Sequence, residues 1–151
     1  MKKIAFLILL SVVSSTNTFA SDTIRFETGI GVDFGGIGAQ FHMPIGTNKL
    51  DLYLSAGLFY TSNRSNEEMG FGAGGNYFMD KKQAITFYYG TLHTERYIDE
   101  FLDVRTDSDQ GLSVGYKYYF SGSSASGWSL GANYNFYDGG SYPFLSVGYR
   151  Y

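Results

Sequence analysis

From about Thr23 to its last residue the chain repeats one pattern: apolar residues alternate with small or polar ones, in stretches separated by short breaks. The final stretch is the plainest. Pro143, Leu145, Val147, Tyr149 and Tyr151 share one face, and Tyr142, Phe144, Ser146, Gly148 and Arg150 share the other. A period of two marks a β-strand whose sides meet unlike surroundings.

Eight such stretches can be read, over about 23–34, 37–43, 50–60, 69–77, 83–93, 111–120, 128–136 and 142–151. In the first, Ile24, Phe26, Thr28, Ile30, Val32 and Phe34 oppose Arg25, Glu27, Gly29, Gly31 and Asp33, and Gly35-Gly36 then permits a tight hairpin. The fifth is the least regular: Ile85, Phe87 and Tyr89 share a face, but Tyr88 and Leu92 blur the other. The breaks fall into two sets on alternate ends. One comprises 44–48, 79–82 and 121–127; the other comprises 35–36, 62–68, 95–108 and 138–140, with 95–108 the longest connection.

An even number of strands, each near the ~10 residues that cross a bilayer at a tilt, with the apolar face outward, describes a transmembrane barrel. The expected fold is therefore all-β: an eight-stranded antiparallel up-and-down transmembrane barrel with both termini periplasmic. Aromatics at strand ends (Phe34, Tyr60, Tyr77, Phe120, Trp128, Phe136, Tyr151) fit interfacial girdles. A soluble, lipocalin-like barrel would have to use the glycine- and charge-bearing face as its core, which packs poorly.

Composition places the chain. Lys2 and Lys3 precede an apolar run, Ile4 to Val13, and Thr18-Phe19-Ala20 approximates a cleavage site, so residues 1–20 read as a signal peptide and 21–151 as one barrel domain. Removing the two lysines leaves nine basic residues against fourteen acidic ones, which argues against a nucleic-acid partner. There is no cysteine, hence no disulfide framework and no thiolate metal site.

The inward face is expected to carry Arg25, Lys117 and Arg150 against Glu27, Asp33 and Asp51, balanced three to three, interleaved with Gln40, His42, Tyr53, Asn76, Tyr119, Asn133 and Asn135. An eight-stranded barrel is only wide enough for side chains to fill, so this set reads as a hydrogen-bonded plug, with a narrow conduit as the alternative.

Catalytic chemistry has one foothold. His93-Thr94-Glu95 supplies base, hydroxyl and carboxylate, but His93 and Glu95 project to one strand face and Thr94 to the other, poor geometry for a triad. The 95–109 segment carries Glu95, Asp99, Glu100, Asp103, Asp107 and Asp109 against Arg96 and Arg105, yet lacks the ligand spacing of a calcium loop. Gly70-x-Gly72-x-Gly74-Gly75 precedes no helix and reads as a lumen-lining strand. No catalytic, cofactor or metal site is expected. The apolar loop residues Tyr97, Ile98, Phe101 and Leu102, beside Arg96, read either as a packed protruding hairpin or as a contact surface.

The ending Val147-Gly148-Tyr149-Arg150-Tyr151 resembles the Val-Gly-Tyr-Arg-Phe ending of small outer-membrane barrels of the OmpX and Ail kind. The strand count and turn pattern are similar to that class and to opacity proteins and the OmpA membrane domain. The chain departs from it in a very short first outer loop and a terminal Tyr. The resemblance implies export by the general secretory route to the outer membrane of a Gram-negative bacterium. It also implies contact with outer-membrane lipid and lipopolysaccharide, and insertion by the barrel-assembly machinery, which reads Leu145, Val147, Tyr149 and Tyr151. The function expected is non-enzymatic, as a monomer: envelope structure, or surface interaction through loops 62–68 and 95–108. The alternatives are a lipid-modifying enzyme with His93 as base, or a narrow pore.

Overall fold

The computed structural model describes residues 24–46, 49–60, 67–98 and 104–151. Eight strands close into a barrel in sequence order: β1 (Arg25–Gly31), β2 (Gly36–Ile45), β3 (Leu50–Tyr60), β4 (Glu67–Phe78), β5 (Gln83–Ile98), β6 (Val104–Tyr119), β7 (Gly127–Tyr137) and β8 (Gly140–Arg150). Every pairing is antiparallel, including β8 with β1. Ile24 and Tyr151 therefore lie at one end, the proximal end, with the strand ends joined by the β2–β3, β4–β5 and β6–β7 turns; the strand ends joined by the other four connections lie at the opposite, distal end.

Alternation decides the faces. Along β7 the burial runs strictly exposed and buried, with Trp128, Leu130, Ala132, Tyr134 and Phe136 outside and Ser129, Gly131, Asn133 and Asn135 inside. Charged and polar residues fill the interior, while large apolar residues such as Ile37, Phe41, Leu54, Phe71, Phe87 and Leu145 cover the outside, each between 49% and 68% exposed. A core inside and a polar skin outside, the usual arrangement in water, is inverted here.

Four expectations change. β1 ends at Gly31, and Val32–Phe34 form a 3-10 turn folded into the barrel mouth rather than the end of a strand. Val32 and Phe34 are not outward but buried, at 2% and 0% exposure, so Phe34 belongs to no girdle. Gly35 (φ 72°) and Gly36 (φ 101°) make the reversal possible, the Gly35 N–H closing on the Val32 carbonyl at 2.9 Å. Second, most of the expected 95–108 connection is strand: β5 and β6 continue pairing to Ile98 and Val104. Third, Pro44 is not in a turn; it sits in β2 opposite Asp51, near the strand's end. Fourth, a register shift between Thr91 and His93 buries Thr91 and Leu92 together and turns His93 inward opposite Asp109. Tyr88 and Leu92 themselves point inward by plain alternation; that face blurs because it enters an apolar layer with Val32 and Tyr53.

The interior is layered from end to end. Phe78, Ala84 and Tyr119 close the proximal side, charges occupy the middle, and Val32, Tyr53, Tyr88 and Leu92 form the distal layer. Space for the large rings comes from glycines on facing strands. A Cβ on Gly72 or Gly74 would strike the Tyr88 or Tyr53 ring, and one on Gly148 would lie 2.7 Å from Phe34 Cζ and 2.5 Å from Glu27 Oε1. By contrast, a Cβ on outward Gly75 meets only the flexible tip of Leu52, at 3.1 Å, as its nearest neighbour. Gly148→Ala is expected to cost about 1–3 kcal/mol by overpacking, and Gly75→Ala within about 0.5 kcal/mol. Urea unfolding in lipid vesicles, followed through Trp128, measures both.

Candidate functional site

The barrel interior is the most chemically loaded part of the molecule, and Glu27 is its centre. Inward positions of β1, β6, β7 and β8 converge on its carboxylate. Oε1 lies 2.9 Å from Lys117 Nζ and accepts from Ser129 Oγ at 2.5 Å, while Oε2 accepts from Arg150 Nε and Nη2 at 3.2 and 3.0 Å. Glu27 and Arg150 are direct cross-strand partners on the β1–β8 seam, so this ion pair spans the last gap to close.

Lys117 reaches further, to Asp33 Oδ2 at 3.4 Å and Gln40 Oε1 at 3.3 Å, with its ammonium 4.5 Å from the centroid of the Phe34 ring. Gln40 Nε2 donates to the Asp33 carbonyl at 2.8 Å. The 3-10 turn is thus tied to the charged layer by a carboxylate, a carbonyl and a ring face. Asp33 is interior as expected, but a turn carries it there, not a strand.

His42 fills the remaining gap, with Nδ1 2.9 Å from Asp51 Oδ2 and Nε2 3.0 Å from Gln40 Oε1. When protonated it offers an N–H to each. Arg150 adds a bond to Tyr119 Oη at 3.0 Å, and its guanidinium lies 4.4 Å from that ring's centroid. Tyr119 in turn accepts from Asn76 Nδ2 at 3.4 Å.

Of the thirteen residues expected in this network, twelve are buried inside the barrel. Arg25 is the exception: half-buried, it donates to the Ser123 carbonyl at 2.9 Å in the β6–β7 turn. The three-to-three balance therefore changes. Glu27, Asp33 and Asp51 face Lys117 and Arg150, three carboxylates to two cations, with the His42 imidazole among them. Tyr53 packs its ring against His42, centroids 5.2 Å apart, and reaches Thr86 at 3.3 Å, while Asn133 (to Ser146, 3.4 Å) and Asn135 lie inside but apart from the charged cluster.

The distal end holds the other candidates. Turned inward by the bulge, His93 stacks on Tyr137 with ring centroids 5.3 Å apart. Thr94 Oγ1 is buried without a hydrogen-bond partner. Glu95, Arg96, Tyr97 and Ile98 belong to β5. Phe101, Leu102, Asp99, Glu100 and Asp103 lie outside the described residues, as do the 1–20 segment and loop 62–66. Among the described residues no cluster of His, Cys, Asp or Glu is disposed to hold a metal. The sequence reading missed one feature: a cavity of about 610 Å³ at the distal mouth, lined by Val32, Phe59, Leu92, Tyr137, Tyr142 and Phe144 among others. Its signal was present, since Tyr142 and Phe144 are apolar on a face that is otherwise small or charged.

The resemblance read from the last five residues falls on the seam. Leu145 and Val147 are exposed, and Tyr149 and Tyr151 join an aromatic ladder: Trp128–Tyr149 (5.3 Å), Tyr149–Tyr151 (5.2 Å), Tyr151–Phe26 (5.8 Å), Phe26–Phe41 (5.1 Å). It crosses β7, β8, β1 and β2. Against known protein families, curated proteins and solved structures, the chain has no match.

Lys117→Met should leave Glu27 and Asp33 without their shared cation and cost about 3–5 kcal/mol of unfolding free energy. Adding Glu27→Gln to that variant is expected to restore part of the loss, since a buried charge then disappears. Urea titration of the four proteins of this cycle provides the measurement.

Proposed function

We propose that this chain is a small outer-membrane barrel of a Gram-negative bacterium that serves in the envelope as a non-enzymatic, monomeric scaffold, presenting its β5–β6 hairpin at the cell surface. The observation carrying the proposal is the inversion of the two faces. Apolar side chains cover the outside of every strand, a surface far larger than the few hundred Å² a soluble monomer tolerates. Closure gives every strand a neighbour on both sides, the condition for crossing a bilayer with strands. The aromatic ladder at the proximal end suits one interface.

Orientation follows from the usual plan of such barrels, with termini and short turns periplasmic and long connections outside. The proximal end then faces the periplasm. The distal end, where β5 and β6 each run to 16 residues, faces out. Residues 1–20 act as the export signal, and the last strand, with Leu145, Val147, Tyr149 and Tyr151, is what the assembly machinery engages. Lipid and lipopolysaccharide surround the belt.

Filled interior layers favour a scaffold over a pore. Charges, Phe34 and Val32 occupy the middle and distal lumen, and a conduit would need that packing undone. In a planar bilayer the purified protein should show no steady conductance steps. Fractionation provides the first test. The protein should be recovered in outer membranes and migrate differently on gels with and without boiling; a soluble periplasmic protein with no shift overturns the reading.

A further inference from the structure

The barrel wall is not level at its distal rim. β1 stops pairing with β8 at Ile30–Val147, where Gly31 still packs against Ser146, so residues 140–145 of β8 continue upward with no paired strand on that side, about 20 Å of strand. On the other flank β2 begins at Gly36 and pairs Ile37 with Leu58, so Phe59 and Tyr60 of β3 also overtop it. Between them the β1–β2 connection dips into the mouth as the 3-10 turn. The result is a notch in the wall.

The cavity of about 610 Å³ lies at this notch and spills over it. Inside are Val32 as floor, with Phe59, Leu92, Tyr137, Tyr142 and Phe144 as walls; on the outer side the lining continues through Ile30, Ile37 and Leu58. Those last three belong to the outward face, and Ile30 and Ile37 are 55% and 51% exposed. Phe144 holds an inward register position opposite Asn133, yet is 37% exposed because no wall stands before it. Lower in β8, the same face carries Ser146 and Arg150.

We infer that this cavity takes one acyl chain of a lipid from the surrounding leaflet, entering sideways through the notch. Its volume lies within the range of small-molecule sites. Its side-chain lining is apolar and continues across the notch into the outer apolar belt through Ile30, Ile37 and Leu58, so a chain passing from one to the other meets no polar side chain there, only the unpaired backbone edge of β8. The polar groups are few: besides the tyrosine hydroxyls, only the side chains of His93 and Thr94 among the lining residues, both on β5, with Thr94 Oγ1 buried and unpartnered. A hydrocarbon chain fits such a lining; a polar solute does not. The inference rests on the membrane reading above.

The experiment reconstitutes the protein in vesicles containing a phospholipid with a diazirine at the end of one acyl chain, irradiates them, and maps adducts by mass spectrometry. Adducts are expected on inward-facing Val32, Leu92 and Phe144 as well as on belt residues such as Leu54 and Leu130. His93→Trp, which enlarges an inward side chain lining the cavity, should abolish the inward adducts and leave those on the belt. Phe144→Ser, which makes the notch polar, should lower them without touching the ion-pair network. Adducts confined to the belt in the wild-type protein overturn the inference and leave the membrane reading standing. Adducts on neither face overturn both.

Discussion

Glu27 holds a carboxylate out of water at the centre of the barrel, where an unpaired charge costs several kcal/mol. Everything around it answers that constraint: an ammonium from β6, a guanidinium from β8, a hydroxyl from β7 and an imidazole from β2. Because these groups come from strands far apart in sequence, the charges define the register of the barrel as well as filling it. A slip of one residue in β8 would send Arg150 into the apolar belt and bring Tyr149 or Tyr151 against Glu27. An all-apolar interior would fill the same volume without specifying that register.

The two ends of the barrel are built differently. The proximal end is sealed by Phe78, Tyr119 and the Arg25–Ser123 contact, and is ringed by stacked aromatics. At the distal end a low rim beside β1 and β2 stands across from the tall β5–β6 hairpin. The Leu92 bulge marks where that hairpin leaves the barrel, since β4–β5 pairing ends at Gly72–Gly90 and β6–β7 pairing at Gly111–Tyr137. A filled base thus supports an uneven crown.

Much of this was legible in the alternation. The period of two assigned the faces of β3, β4, β6 and β7, because on those strands nothing interrupts the pleat and each side chain meets either the dry, charged lumen or the belt. It failed where a local device overrode the period. Val32 and Phe34 continue the apolar rhythm of β1, so pattern alone sends them outward. The inward glycines Gly29 and Gly148 leave a space only a large inserted ring could fill, and that is a three-dimensional fact. At Leu92 one extra residue reverses parity, and a bulge has no composition of its own. Arg25 satisfied the parity rule but lies so near the strand's end that its long side chain reaches a turn carbonyl instead of the central carboxylates. The distal cavity depends on where β1 ends, and strand ends are what alternation locates least well.

The seam between β1 and β8 has a kinetic consequence. Glu27 and Arg150 are separated by 123 residues, and Tyr151 donates its N–H to the Phe26 carbonyl at 2.9 Å. Until the last strand docks, the interior has an open side, and its carboxylates and cations keep their water. Docking of β8 completes the ring of backbone bonds and brings Arg150 onto Glu27. The contact that completes the lumen is thus the most distant one in the chain, the kind whose loop-closure cost slows folding.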